Sequence, residues 1–222
     1  MHHIEQETLE FLKNLWQNND RKWFNLNRED YKKARENFVA FFAEVAYELS
    51  LSDGYLMDTK SDTHIFRINR DIRFSRNKLP YKTNFWAFLS PGGKKYDNLS
   101  AGYYLHIEPW NNFIWWWAYR PEPEFLAKIR EKIVDNPQSF KDIINKPQFK
   151  KIYSHINDRQ KLKTAPKWYP RDHPEIELLR HKNFTSTIFF TDKEVLEAWF
   201  QRKVIEKLSL LTPLNNWFNE IQ

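Results

Sequence analysis

Cysteine is absent from the 222 residues, and glycine occurs only four times. The first absence excludes a disulfide scaffold, a thiolate zinc site and a cysteine nucleophile. The second excludes, by count alone, the glycine-rich phosphate loops of Rossmann and P-loop proteins. No stretch approaches the roughly 18 consecutive apolar residues that mark a membrane-spanning helix, and Met1-His2-His3-Ile4-Glu5 does not read as a signal peptide. A soluble, cytoplasmic protein with no membrane partner is the expectation. Hydrophobic residues are 41% and charged residues 29% of the chain, the balance of a folded protein rather than a disordered one. At this length a core can bury most of its apolar surface without staples.

What is present is positive charge and aromatic area. The formal net charge is +6, and most of it is local. Residues 60–82 carry Lys60, Arg67, Arg70, Arg73, Arg76, Lys78 and Lys82 against Asp62 and Asp71. Such a concentrated field favours an anionic partner: a phosphate, a carboxylate or a nucleic acid. The plain alternative is a solvated basic loop. Aromatic residues reach 17%, with ten Trp; most should fill the core, and a minority could line a binding surface.

Apolar spacing orders the chain as helices, then strands, then helices. Leu9, Leu12, Leu15 and Trp16 recur at helical spacing, and Asn18-Asn19-Asp20 stops that helix. Asn27 is a candidate N-cap for a second helix striped by Tyr31, Phe38, Phe41, Phe42, Val45 and Leu49. A strand is expected over His64–Ile68, extending toward Phe74, and another over Phe85–Leu89. Tyr103–Glu108 and Phe113–Tyr119 flank Pro109-Trp110-Asn111-Asn112 as a hairpin. Pro123 opens a helix with Phe125, Leu126, Ile129 and Ile133, and short helical pieces follow before a strand at Phe184–Phe190. Thr191-Asp192-Lys193-Glu194 is a capping box for a helix running through Leu208, and Thr212-Pro213 opens the last one. The expected architecture is one α+β domain over residues 1–222: an antiparallel sheet with an N-terminal helical pair and C-terminal helices packed on it.

Within the expected strand, alternation places Phe66, Ile68, Ile72 and Phe74 on one face, and Arg70 interrupts it. A buried guanidinium needs a carboxylate or an anion. Either Arg70 pairs with Asp71 or Glu108, or a bulge turns it outward, or Arg67, Arg70 and Arg73 form a clamp for an anion. The loop Ser75-Arg76-Asn77-Lys78-Leu79-Pro80-Tyr81-Lys82-Thr83 adds hydroxyls, an amide and cations beside it.

With hairpin partners summing to 221, Glu108 faces Phe113, His106 faces Trp115 and Tyr104 faces Trp117, so Tyr104, His106, Glu108, Trp115 and Trp117 share one face. His106 and Glu108 are the candidate acid–base pair. The candidate ligand-binding set is Arg67, Arg70, Arg73, Ser75, Lys78, Tyr81, Lys82, Tyr104, Arg120 and His173. No metal site is assigned, because further ligands such as His173 or Glu175 would have to come from far along the chain. The cofactor is unknown, no serine nucleophile elbow or zinc motif is present, and nothing fixes the oligomeric state.

Several runs resemble one family. They are Asn18-Asn19-Asp20-Arg21-Lys22-Trp23-Phe24, then Phe66-Arg67-Ile68-Asn69-Arg70-Asp71-Ile72-Arg73-Phe74-Ser75 with Lys78 and Pro80-Tyr81-Lys82-Thr83. Gly102-Tyr103-Tyr104-Leu105-His106-Ile107-Glu108-Pro109, Arg120-Pro121-Glu122-Pro123 and Asp172-His173-Pro174 complete them. In order and extent, from about residue 9 to 220, they are similar to the uncharacterised, largely microbial domain of unknown function 2461. The resemblance implies a single domain and no established activity, cofactor or catalytic residue. One departure is Trp115-Trp116-Trp117, where small residues are expected; three indoles would narrow or reshape any pocket there.

Three functions compete. The first is a site for a small phosphorylated or carboxylated ligand, enzymatic or not. The second is a single-stranded nucleic-acid-binding module, since basic residues interleave with aromatics. The third is a protein-interaction scaffold with an exposed aromatic patch around Trp110 and Trp115–Trp117.

Overall fold

The computed structural model describes residues 2–56, 64–91, 100–118, 121–153, 156 and 161–221. Three helices open it: α1 (Gln6–Gln17), α2 (Arg21–Leu26) and α3 (Arg28–Ser50). Leu9, Leu12 and Leu15 of α1 are buried, whereas Trp16 is 60% exposed. Asp20 both follows the stop of α1 and starts α2, its carboxylate accepting from the backbone N–H groups of Lys22 at 2.8 Å and Trp23 at 2.9 Å. The expected side-chain cap at Asn27 does not form; its amide donates back to the Trp23 carbonyl at 2.8 Å.

Four strands follow the plan of an antiparallel meander: β1 (Phe85–Leu89), β2 (Gly102–Ile107), β3 (Asn112–Ala118) and β4 (Phe184–Phe190), in that spatial order. Gly102 is needed where β2 begins beside the end of β1. A Cβ there would lie 2.5 Å from the Leu89 carbonyl oxygen and 2.7 Å from the Phe88 ring. The hairpin register differs from expectation by two residues: His106 pairs with Phe113 and Tyr104 with Trp115. The reason is a tighter turn, in which Asn111 N–H donates to the Glu108 carbonyl at 2.9 Å and Pro109 and Trp110 alone form the bend. A shift of two preserves every face, because side chains alternate with period two.

Between β3 and β4 run α4 (Pro123–Asp135), α5 (Pro137–Ile144), α6 (Pro147–Tyr153) and α7 (Ile176–Leu179). The chain ends in α8 (Asp192–Leu196), α9 (Phe200–Ser209) and α10 (Thr212–Asn219). The capping box at Thr191 forms, but the helix expected to continue from it breaks at Glu197, whose ψ of 139° is extended. One face of the sheet is covered. Phe38 of α3 stacks on Phe85, Phe200 of α9 meets Phe190, Phe218 of α10 meets Trp116, and Phe140 of α5 meets Phe184. The other face stays partly open: along β3, Phe113, Trp115 and Trp117 are half-buried while Ile114 and Trp116 are fully buried.

The strand expected over His64–Ile68 and toward Phe74 is not a strand. Two isolated bridges, Ile65 to Ala87 and Asn69 to Tyr81, are all that tie residues 64–82 into a ladder among the described residues. The segment folds back on itself, with Arg70 N–H donating to the Pro80 carbonyl at 2.9 Å and Lys82 N–H to the Ile68 carbonyl at 2.8 Å. Pro80 has no N–H to return, so the pairing cannot propagate. Ile68 is buried as expected, but Phe74 is 95% exposed.

Candidate functional site

The open face carries a hydrogen-bonded network of five side chains. The Tyr104 hydroxyl lies 2.8 Å from Nδ1 of His106, and Nε2 of His106 lies 3.2 Å from Oε2 of Glu108. Thr83 Oγ1 donates to Oε1 of Glu108 at 2.6 Å, and the Asn111 amide donates to Oε2 at 3.0 Å. Strand geometry explains the grouping: Tyr104, His106 and Glu108 sit at i, i+2 and i+4, hence on one side of β2 and its exit. Asn112 fixes the exit, its side chain accepting from the Glu108 N–H at 3.1 Å and donating to Asp192 at 2.8 Å.

Electrostatics assign the protons. Burial alone would raise the Glu108 pKa, but the hydrogen bonds from His106, Thr83 and Asn111 outweigh it and hold the carboxyl at about 2. Glu108 is therefore ionised at neutral pH. An acceptor at Oε2 requires the proton on Nε2, which leaves Nδ1 of a neutral imidazole to accept from Tyr104. Burial, and then the charge of Glu108, pushes the Tyr104 phenol well up, so it stays a proton donor. The imidazole is thereby held in one orientation and tautomer between a phenol that donates to it and a carboxylate that accepts from it.

Rings wall this chain on both sides. His106 stacks on Phe113 at 4.5 Å and Trp86 lies 5.4 Å from Tyr104, with Trp115 and Trp117 at 5.9 and 5.5 Å. Phe66 stacks on Trp86 at 3.4 Å, and the Lys82 ammonium lies 5.0 Å from the Trp86 ring centre. At the Glu108 end a cleft of about 220 Å³ opens, lined by Trp16, Thr83, Glu108, Pro109 and Trp110. His106 and Tyr104 are 7% and 8% exposed, so solvent reaches the chain through Glu108.

The candidate residues divide. His106, Glu108 and Tyr104 are brought together, and Lys82 lies at the edge of the same aromatic wall. The guanidinium clamp is not assembled. Arg73 is exposed and locked to Asp71 at 2.6 Å, Arg67 is exposed, and Arg70 is half-exposed and donates to the Leu79 carbonyl at 3.3 Å. Lys78 donates to the Ile72 carbonyl at 3.0 Å. These cations satisfy the folded-back loop rather than a common hollow. Ser75 sits half-buried in that loop, its N–H 3.4 Å from the Ile72 carbonyl. Tyr81 is a core residue, stacked on Phe24 at 4.0 Å, and its backbone exchanges two hydrogen bonds with the Asn19 side chain. His173 Nδ1 accepts from the Glu175 N–H at 3.0 Å as part of a local turn. Arg120, like Lys60 and Asp62, lies outside the described residues. The expected Trp patch is split: Trp116 is buried on the covered face, while Trp110 alone of that group is exposed.

Thr83, Trp16 and Asn111 were not singled out as site residues. Thr83 could have been found, because it closes the run Pro80-Tyr81-Lys82-Thr83 that Asn19 clamps. Trp16 carried one signal, its place on the edge of the α1 stripe. Among the described residues, no group of three or more His, Asp or Glu stands close enough to hold a metal ion.

The fold and site define a class: an α+β protein whose four-stranded antiparallel sheet is covered by helices on one side and carries a Tyr–His–Glu chain among aromatic rings on the other. The chain belongs to the family described as conserved hypothetical protein (DUF2461), whose model matches residues 7–217. No curated protein and no solved structure matches it significantly. Among the described residues no helix is long and apolar enough to cross a membrane.

Proposed function

We propose that the open face of the sheet binds a small molecule with a flat apolar body and an anionic end, and that His106, held between Tyr104 and Glu108, exchanges a proton with it. The observation that carries this reading is the continuous chain Tyr104–His106–Glu108, buried at one end and reaching a cleft at the other. A purely structural polar cluster has no need to end at solvent beside an ionised carboxylate. Trp86, Phe113, Trp115 and Trp117 supply stacking area, and Lys82, seated on Trp86 and donating to the Arg67 carbonyl at 2.7 Å, meets the anion with its other N–H donors. The other cations of residues 67–78 raise the local positive potential without touching the ligand. The core that holds the site runs from Ile4 to Ile221, which supports a single domain working around it.

The test is a binding titration with phenyl phosphate, followed through the Trp indole resonances, with inorganic phosphate and benzyl alcohol as half-probes. Phenyl phosphate should bind more tightly than either half. Lys82→Ala and Trp115→Ala should each weaken it by about tenfold, corresponding to roughly 1.4 kcal/mol. No saturable binding, or binding indifferent to both substitutions, overturns the proposal.

A second reading is supported by the same rings. Partly exposed aromatics on a four-stranded sheet with Lys82 and Arg67 at its edge also suit stacked bases of a single strand. Oligo-dT should then bind with an affinity that falls steeply with salt. A flat salt response, or no retention at about 50 mM salt, dismisses it.

A further inference from the structure

The cleft at the Glu108 end has its own chemistry, and it is not that of an anion site. Two of its walls are indoles, Trp16 and Trp110, set nearly at right angles with ring centres 5.9 Å apart. Its floor is the Glu108 carboxylate, held ionised. Both rings are largely exposed, and Trp110 is held in the left-handed region at φ 66°, a conformation that costs a non-glycine residue on the order of 1 kcal/mol. Its position is fixed from outside the turn. The Trp110 N–H donates to Asp192 at 2.8 Å, and Lys13, paired to Asp192 at 3.3 Å, places its ammonium 5.7 Å from the Trp110 ring centre. The chain thus already sets a cation against this indole, with the charge of that cation balanced by Asp192.

Glu108 adds a second feature. Oε1 accepts from Thr83 and Oε2 from both His106 and Asn111, so most of its lone-pair directions are occupied while its charge remains. A primary ammonium seeks several acceptors and would find few here. A methylated ammonium carries charge without N–H donors and is attracted by ring faces and by a carboxylate it need not hydrogen-bond. We propose that the cleft between Trp16, Trp110 and Glu108 binds a quaternary or multiply methylated ammonium group. This rests on reading the Glu108 end as a ligand site. It deepens that reading by making the ligand zwitterionic, with its cationic head in the cleft and its anionic end toward Lys82.

The experiment is an NMR titration of the full chain with tetramethylammonium chloride at constant ionic strength, with methylammonium chloride as the comparison. The Trp16 and Trp110 indole resonances, assigned from the Trp16→Phe and Trp110→Phe variants, should shift saturably with tetramethylammonium and several-fold more weakly with methylammonium. Trp16→Ala and Trp110→Asn should each weaken binding roughly three- to thirtyfold, the range of a lost cation–π contact. Glu108→Gln should weaken it by a similar factor, with the remaining indole resonances reporting an intact fold. Tyr47→Phe, at an exposed position of α3 outside the site, should leave tetramethylammonium binding unchanged. No saturable shift, or equal affinity for the two ammonium ions, overturns this proposal. If phenyl phosphate still binds through Trp115 and Lys82, the broader proposal survives that failure. If tetramethylammonium binds and phenyl phosphate does not, the anionic half is the part that fails.

Discussion

Tyr103 and Tyr104 are neighbours on one strand, and their hydroxyls do opposite work on opposite faces of the sheet. Tyr103 points under the helices and donates to Asp53 at 2.7 Å, while Asn215 donates to the same carboxylate oxygen at 2.7 Å and accepts from the Trp116 indole at 3.0 Å. Every member of that network is buried, and burial raises the Asp53 pKa despite three hydrogen bonds. Tyr104 points to the open face, where hydrogen bonds overcome burial and hold Glu108 at about 2. A polar network sealed on all sides ties β2, β3 and α10 together. A network of similar composition that ends at a cleft leaves its charge beside solvent. Composition alone does not separate the two networks; the route to solvent at Glu108 does.

The largest effect should come from the sealed side. Trp116→Ala should cost about 3–5 kcal/mol by urea unfolding, as for other buried aromatics, and Trp115→Ala, half-buried on the open face, less than half as much. Equal losses would erase the distinction between the faces. Acid titration should next split the two carboxyls in sign. Asp53 is raised above 3.8, so its contribution is full below that value and is lost as pH rises through the raised pKa; wild type should gain on Asp53→Asn on acidification. Glu108 is lowered from 4.5 to about 2, so its contribution is full above 4.5 and is lost as pH falls toward 2. The unfolding midpoints of Glu108→Gln and wild type should converge over that interval. Parallel curves for both variants would contradict the assignment.

Smaller effects test the basic loop. Arg70→Ala should change stability by less than about 0.5 kcal/mol, as at other exposed sites, and leave phenyl phosphate binding unchanged, because its guanidinium is turned to the Leu79 carbonyl. A lost ligand would restore the clamp as the anion site. Trp110→Asn should also be mild for folding, within about 0.5 kcal/mol, because asparagine tolerates the left-handed turn that tryptophan strains. A thermal melt checks it; a collapse of the fold would make Trp110 a structural residue.

Much of this was legible. Strand faces follow from alternation, so Tyr104, His106 and Glu108 were grouped correctly even though the hairpin register was two residues out. Pro109 and Trp110 hid the true turn, since a bulky residue is the poorest advertisement for a positive φ. The capping box at Thr191 was readable because it is local. What was not readable depends on contacts far apart in sequence: Asn19 clamping Tyr81, Thr83 reaching Glu108, and Asp53 reaching Asn215. The charge of residues 60–82 suggested a clamp, but charge density does not say where side chains point. There the backbone doubles back, and its own carbonyls and Asp71 take several of the cations that an anion was expected to take.

The most direct measurement is the ¹⁵N spectrum of the His106 imidazole in the full chain as phenyl phosphate is added. The expected starting state is the Nε2–H tautomer hydrogen-bonded to Glu108, and both ring nitrogens should move saturably with the probe while those of His181, buried elsewhere, stay fixed. A His106 ring in the other tautomer, or one that ignores the probe while the protein binds it, would contradict a site built on the Tyr104–His106–Glu108 chain.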